Sequence, residues 1–232
     1  VSGATRHSKF MTKLPAKNQL EAAQQKNLWD FGNAMLYKLC KDNFEYKSDD
    51  AILTKVLFIG RIYAAAVERR KNKSDDTNDN FYSNTVAPTF RKSILDDKLS
   101  GLKIGKTENI EHIKSVLETH YYLTNMLKKI TDLNKRSFSS KYLHFHLPDL
   151  FYIYDSRALT ALRQFTYQVP KDLKHILELD NIDKEYAKFY CKCFDLKRQI
   201  KSQFNLELTN RQLDNLLLEE ANKQRGLKLK TI

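Results

Sequence analysis

Only ten of the 232 residues are glycine or proline, six and four respectively. This scarcity is the tightest constraint on what the chain can fold into. A β sandwich or barrel needs a tight turn about every 8–12 residues, and such turns draw heavily on glycine and proline. Helices need far fewer breaks, so the chain is expected to be all-α. With 41% hydrophobic and 11% aromatic residues it carries enough apolar surface to escape disorder. At this length a chain buries about 70% of the surface it exposes when unfolded, enough for one large domain or two small lobes.

Periodicity places the helices. Leu20, Leu28, Phe31, Met35 and Leu39 recur at mostly three- and four-residue steps and predict one long helix over about Gln19–Asp42. The run AILTKVLFIGRIYAAAVERR, about Ala51–Arg70, is apolar nearly all round and is expected to be the buried central helix, with its basic tail in solvent. The string KNKSDDTNDN that follows has no period and reads as an exposed loop. The stretch 71–85 is therefore the expected lobe boundary or flexible insertion within a single two-lobed unit spanning 1–232. Pro88 is expected to open a short helix ending near Leu99, with Gly101 and Gly105 bracketing a turn.

The stripe Ile110, Ile113, Leu117, His120, Leu127 and Ile130 predicts a long helix from about Glu108 to Thr131. After it, RSFSSKYLHFHLPDLFYIYDSRALTALRQF reads as a turn, a short helix, a link punctuated by Pro148, and a new helix capped by Asp155. A further helix is expected over 183–204. Thr209 and Gln212 form a T-x-x-Q capping box for a last helix reaching about Lys223, with a loosely held tail beyond it.

Forty Lys and Arg against twenty-eight Asp and Glu give a net charge of +12, which points to a polyanionic partner, DNA first and RNA second. An acidic protein partner, as in a phage-defence or toxin system, would meet the same charge. The cysteines, Cys40, Cys191 and Cys193, are odd in number and form no C-x-x-C pair, so neither a disulfide framework nor a zinc ribbon is expected. They fit a reducing, cytoplasmic compartment. No apolar run approaches the roughly 20 residues of a membrane span, and residues 1–17 lack the apolar core of a signal peptide. No P-loop, Rossmann fingerprint, HExxH or GxSxG occurs, which leaves nucleotide hydrolysis and common hydrolase chemistry without support.

Chemistry concentrates within the segment 108–168. Lys141 lies near a helix start, and Asp155 opens the next helix after a link that Pro148 lets turn back along the first, so the amine and the carboxylate can meet. Two bland readings stand beside this: Asp155 as an ordinary helix cap, and Lys141 as a solvated surface lysine. His144 and His146, two residues apart on a helix, point about 200° apart and cannot share a metal. His144 lies on the Lys141 face.

The string Ser137-Phe138-Ser139-Ser140-Lys141 resembles the G-V-G-T-K hairpin and lysine of 8-oxoguanine DNA glycosylases, with serines 137 and 139 at the glycine positions. Ile153-Tyr154-Asp155-Ser156-Arg157-Ala158 resembles the P-V-D-x-H-x stretch that carries their aspartate. Both are also similar to bacterial proteins with an 8-oxoguanine-glycosylase-like fold, in which S-F-(G/S)-(S/T)-K precedes I-x-D-x-R-x. The resemblance implies a two-lobed helix-hairpin-helix glycosylase, possessing Lys141 as Schiff-base nucleophile and Asp155 as its activating carboxylate, and requiring no metal or cofactor. Lys135, Arg136, Ser139, Ser140, Arg157 and Arg61 would contact nucleic acid, and His144, Phe145 and Tyr154 would line a base pocket. A helical DNA- or RNA-binding protein without catalysis is the alternative.

Overall fold

A computed structural model describes residues 13–45, 48–71, 77–103 and 110–229, and among them every regular element is helical. The helices are α1 Lys17–Gln24, α2 Asp30–Asp42, α3 Asp49–Ile62, α4 Asn78–Phe81, α5 Ala87–Arg91, α6 Leu95–Leu102 and α7 Ile110–Thr131. They continue with α8 Arg136–His146, α9 Ser156–Phe165, α10 Lys184–Phe204 and α11 Asn210–Leu229. The protein is thus all-α, as the shortage of turn residues requires. None of the described helices is long and apolar enough to cross a membrane.

Local chemistry starts several of these helices. Ser48 Oγ accepts from Ala51 N at 3.2 Å ahead of α3, and Asp183 Oδ1 accepts from the amides of Glu185 and Tyr186 ahead of α10. Thr209 and Gln212 close the expected capping box, at 2.9 and 3.1 Å. Each such cap satisfies amides that the first helical turn leaves without partners.

The central helix is not the one the apolar pattern selects. From Phe138 to His146 every side chain of α8 is buried, and α8 packs against α2, α3 and α7. α3 instead leaves Phe58 and Ile62 exposed and stops eight residues short of Arg70. Its end is a tight reversal: Ala64 takes φ 50°, and Ala65 N donates to Gly60 O at 2.7 Å. A Cβ on Gly60 would come within 3.3 Å of Ala66 Cα, so the close approach depends on glycine. Lys135 Nζ then donates to the carbonyls of Ala66 and Arg69, holding the run after Ala64 out of helix.

The expected first helix is likewise two. Asn27 Oδ1 accepts from Trp29 N, and Asp30 Oδ2 from Asn27 N, both at 2.8 Å. These side chains offer the backbone an alternative to continuing the helix. α2 then buries Asn33, Leu36 and Cys40 and turns Phe31 and Met35 outward, with Leu28 just before it also in solvent. Of the expected loop and lobe boundary 71–85, residues 72–76 lie outside the described residues, and Asn78–Phe81 is helical. A π turn, Tyr82–Val86, joins α4 to α5. In a regular α-helix the ring of Pro88 would strike the carbonyl four residues back, and the wider turn accommodates it, so Pro88 sits inside a helical run rather than opening one. The predicted start at Glu108 and the turn's second glycine, Gly105, lie outside the described residues, whereas Gly101, expected to open that turn, lies inside α6.

Candidate active site

The return link from Leu147 to Asp155 is what builds the site. His144 Nδ1 donates to Phe151 O at 2.8 Å, and one turn earlier Ser140 Oγ accepts from Tyr154 N at 3.0 Å. The link therefore runs back along α8, fastened at two levels, and brings Asp155 close enough for its charge to act on Lys141. Asp155 Oδ1 caps α9 by accepting from the amides of Arg157 and Ala158, at 2.9 and 2.8 Å.

Because Nδ1 of His144 faces a carbonyl, it carries the proton, and Nε2 accepts from the Tyr37 hydroxyl at 2.7 Å. Burial pushes this imidazole down to about 4, so it remains neutral. His146 Nδ1 bonds Tyr142 O at 2.7 Å. The two histidines thus face different carbonyls, which divides them as their helical spacing requires.

Lys141 is only 3% exposed. Its Nζ donates to Ser137 Oγ at 2.8 Å and lies 5.9 Å from the centre of the Tyr63 ring. Burial lowers its basicity below that of an ordinary lysine, and the charges of Asp155 and then Asp214 oppose that fall. Two other lysines among the described residues are equally sequestered, Lys55 and Lys135, yet both donate to backbone carbonyls that end or strap a helix. Lys141 differs in donating to a hydroxyl instead of a carbonyl, and burial favours its neutral form, in which an amine can act as a nucleophile.

Asp214, on α11, is 4% exposed. Its Oδ2 accepts from Arg211 Nη1 at 2.5 Å, and its Oδ1 has no partner. Burial pushes this carboxyl up to about 6. Arg211 restrains the rise, Asp155 adds to it, and Lys141 and Arg157 pull it back. Asn33, on α2, accepts the Tyr63 hydroxyl on Oδ1 and leaves Nδ2 without a partner. The Nε atoms of Arg157 and Arg211 are also buried and unpaired. Unpaired buried polar atoms cost roughly 1–3 kcal/mol each.

The remaining expected residues divide by what already holds them. Ser139 and Ser140 are fully buried, so neither offers itself to a phosphate at the surface. Lys135 is committed to carbonyls, and Arg136 to Asp183 at 2.7 Å with Tyr154 against its guanidinium. Arg157 donates to Asn222 at 2.5 Å. Arg61, whose side chain is largely exposed, pairs with Glu68 at 3.4 Å. Arg61, Arg69, Lys135 and Ser137 line one groove of about 800 Å³ that reaches the residue holding Lys141. Phe145 packs between Tyr37 and Tyr63, at 4.9 and 5.3 Å between ring centres, as an aromatic wall beside the lysine. Tyr154 packs edge-on against Phe189 instead.

Sequence reasoning missed Asn33, Tyr37, Tyr63, Arg211 and Asp214. A signal for two of them exists. Asp214 interrupts the buried row Leu213, Leu217, Ala221 of α11, and Asn33 heads the row Leu36, Cys40 of α2, and a polar residue on an apolar face is the informative exception. Comparison with known protein families, with curated proteins and with solved structures gives no match.

Proposed function

We propose that the protein is a DNA glycosylase with strand-cleaving activity, which excises a modified base with Lys141 as nucleophile and Asp155 as its carboxylate partner. One observation carries this reading: a buried lysine of lowered basicity feels the charges of two carboxylates, one of which, Asp214, has a buried oxygen without a partner. The string 137–141, expected as a hairpin with Lys141 near a helix start, lies inside α8, so this reading rests on the lysine and the carboxylate and not on a phosphate-binding hairpin.

The neutral amine attacks C1′ of the extruded nucleoside. The N-glycosidic bond breaks and its electron pair leaves with the base, while the surplus proton on nitrogen passes to Asp155. Opening of the sugar ring gives the Schiff base, from which loss of a C2′ proton expels the 3′ phosphate. Asp155 keeps Oδ1 on the helix amides, which fixes the carboxylate, and offers Oδ2 to the reacting centre. The groove lined by Arg61 and Arg69 would carry the phosphate backbone.

Borohydride trapping on a duplex with an abasic site tests the reading. A covalent adduct is expected with the wild type and none with Lys141→Gln. A second reading, a helical nucleic-acid binder without catalysis, draws on the serines at 137 and 139, of which Ser139 is sealed in the core. It predicts salt-dependent DNA affinity with no adduct at all.

A further inference from the structure

A second cavity, of about 540 Å³, lies between α10, the 3₁₀ helix Lys171–Glu178 and the 147–155 link, and shares no lining residue with the groove that reaches Lys141. Its volume falls within the range of about 300–1,000 Å³ typical of small-molecule sites. Tyr152, Leu173, Tyr190 and Leu208, all buried, form its floor. The rings of Tyr152 and Tyr190 meet edge-on, 4.9 Å between centres, and neither hydroxyl makes a hydrogen bond among the described residues. Their neighbour Tyr186 shows the usual arrangement, its hydroxyl donating to Tyr152 O at 3.0 Å, because a phenol in the core needs a partner to offset its lost hydration. Two hydroxyls on side chains more than nine-tenths buried thus line one cavity without protein partners.

We propose that this cavity binds an uncharged aromatic molecule with hydrogen-bonding atoms on one edge, such as an aryl amide, its ring against the leucines and aromatic rings and its polar edge on the two hydroxyls. The site is independent of the chemistry assigned to Lys141. Charge at the rim decides against an ion. Arg198 is held by Asp172 and Asp195 at 2.6 and 2.7 Å, and Lys201 by Glu207 at 3.5 Å. Lys197 Nζ donates to Asn210 Oδ1 at 2.9 Å, and its charge is answered by those of Glu207 and Asp149. On the lining, Lys197, Arg198 and Lys201 thus stand against Asp149, Asp172 and Glu207, so a chain of net charge +12 has a balanced rim here. An ion on the floor would give up its hydration for two neutral hydroxyls and no unopposed counter-charge. A hydroxyl both donates and accepts, so the pair can meet a carbonyl oxygen and an N–H together.

Benzamide, benzoate, benzamidine and toluene share one shape and differ in charge and polar edge, and titrating each against the protein by ligand-detected NMR tests the proposal. Saturable binding of benzamide at about millimolar concentration is expected, with the anionic benzoate and the cationic benzamidine at least about tenfold weaker. Tyr152→Phe combined with Tyr190→Phe removes both hydroxyls and keeps both rings. It should weaken benzamide at least about tenfold and change toluene by less than about twofold, which also shows the cavity to be intact. Absence of saturable benzamide binding overturns the inference, as does equal binding of either ion, or a benzamide-to-toluene affinity ratio that the double substitution leaves unchanged. Failure of the wild type to trap on an abasic site would overturn the reading of Lys141 alone and leave this site standing.

Discussion

α8 and the start of α2 invert the usual relation between polarity and burial, in opposite directions. α8 carries Ser139, Ser140, Lys141, His144 and His146 inside the protein. The approach to α2 and its first turns put Leu28, 90% exposed, and Phe31, 81% exposed, into solvent. Two of the polar residues of α8, Ser140 and His144, fasten a stretch of irregular backbone, the 147–155 link, whose amides and carbonyls need partners once buried. The outer stripe is apolar without being core, because the Asn27–Asp30 turn resets the helical phase and turns Asn33, Leu36 and Cys40 inward instead. Apolarity marks a buried face only when the helix keeps its register, and polarity marks a surface only when nothing inside requires it.

The sharpest way to break this comparison is acid. Burial holds the imidazoles of His120, His144 and His146 down to about 3, 4 and 3, against an ordinary value near 6.5. They stay neutral in the folded protein and are protonated in the unfolded chain below pH 6. Their contribution is present above about pH 6.5 and is lost as pH falls. Asp214, raised to about 6, works the other way and binds one proton in the folded state over the same range. The net difference is about two protons, so stability should fall by about 3 kcal/mol per pH unit from pH 6 toward 4.5. Denaturant unfolding at several pH values measures the slope, and in Asp214→Asn it should steepen to about 4 kcal/mol per unit.

At fixed neutral pH, His144→Ala removes both fastenings of one side chain and leaves a cavity, and it should cost roughly 3–4 kcal/mol by denaturant unfolding. Asp155 should show a division. Replacement by alanine loses the α9 cap and about 1 kcal/mol, whereas asparagine retains the cap, leaves stability within about 0.5 kcal/mol, and abolishes base release. Leu28→Ser and Phe31→Ser should shift the unfolding midpoint least, within about 0.5 kcal/mol, since neither side chain leaves a core.

The all-α class and the α8–link–α9 unit were legible in the sequence because they rest on local chemistry: few turn residues, Pro148 at a link, Asp155 as a cap. The opening of the last helix at Thr209 and Gln212 was legible for the same reason. What failed was the inference from apolarity to burial. The run through Ala64–Ala66 looked helical by propensity, yet the Gly60 close approach and the Lys135 strap, a contact 66 residues away in sequence, hold it in a turn. Half of the candidate site is of the same kind. Lys141 and Asp155 are fourteen residues apart and joined by a readable link, whereas Asn33, Tyr63 and Asp214 arrive from three helices whose packing no local pattern encodes.

The most direct test of the central claim is to identify the residue that carries the adduct after borohydride reduction on an abasic duplex, by mass spectrometry of the digested protein. The account predicts modification of the peptide containing Lys141 alone. Modification of another lysine, or no covalent species under conditions where the protein binds the duplex, would contradict it.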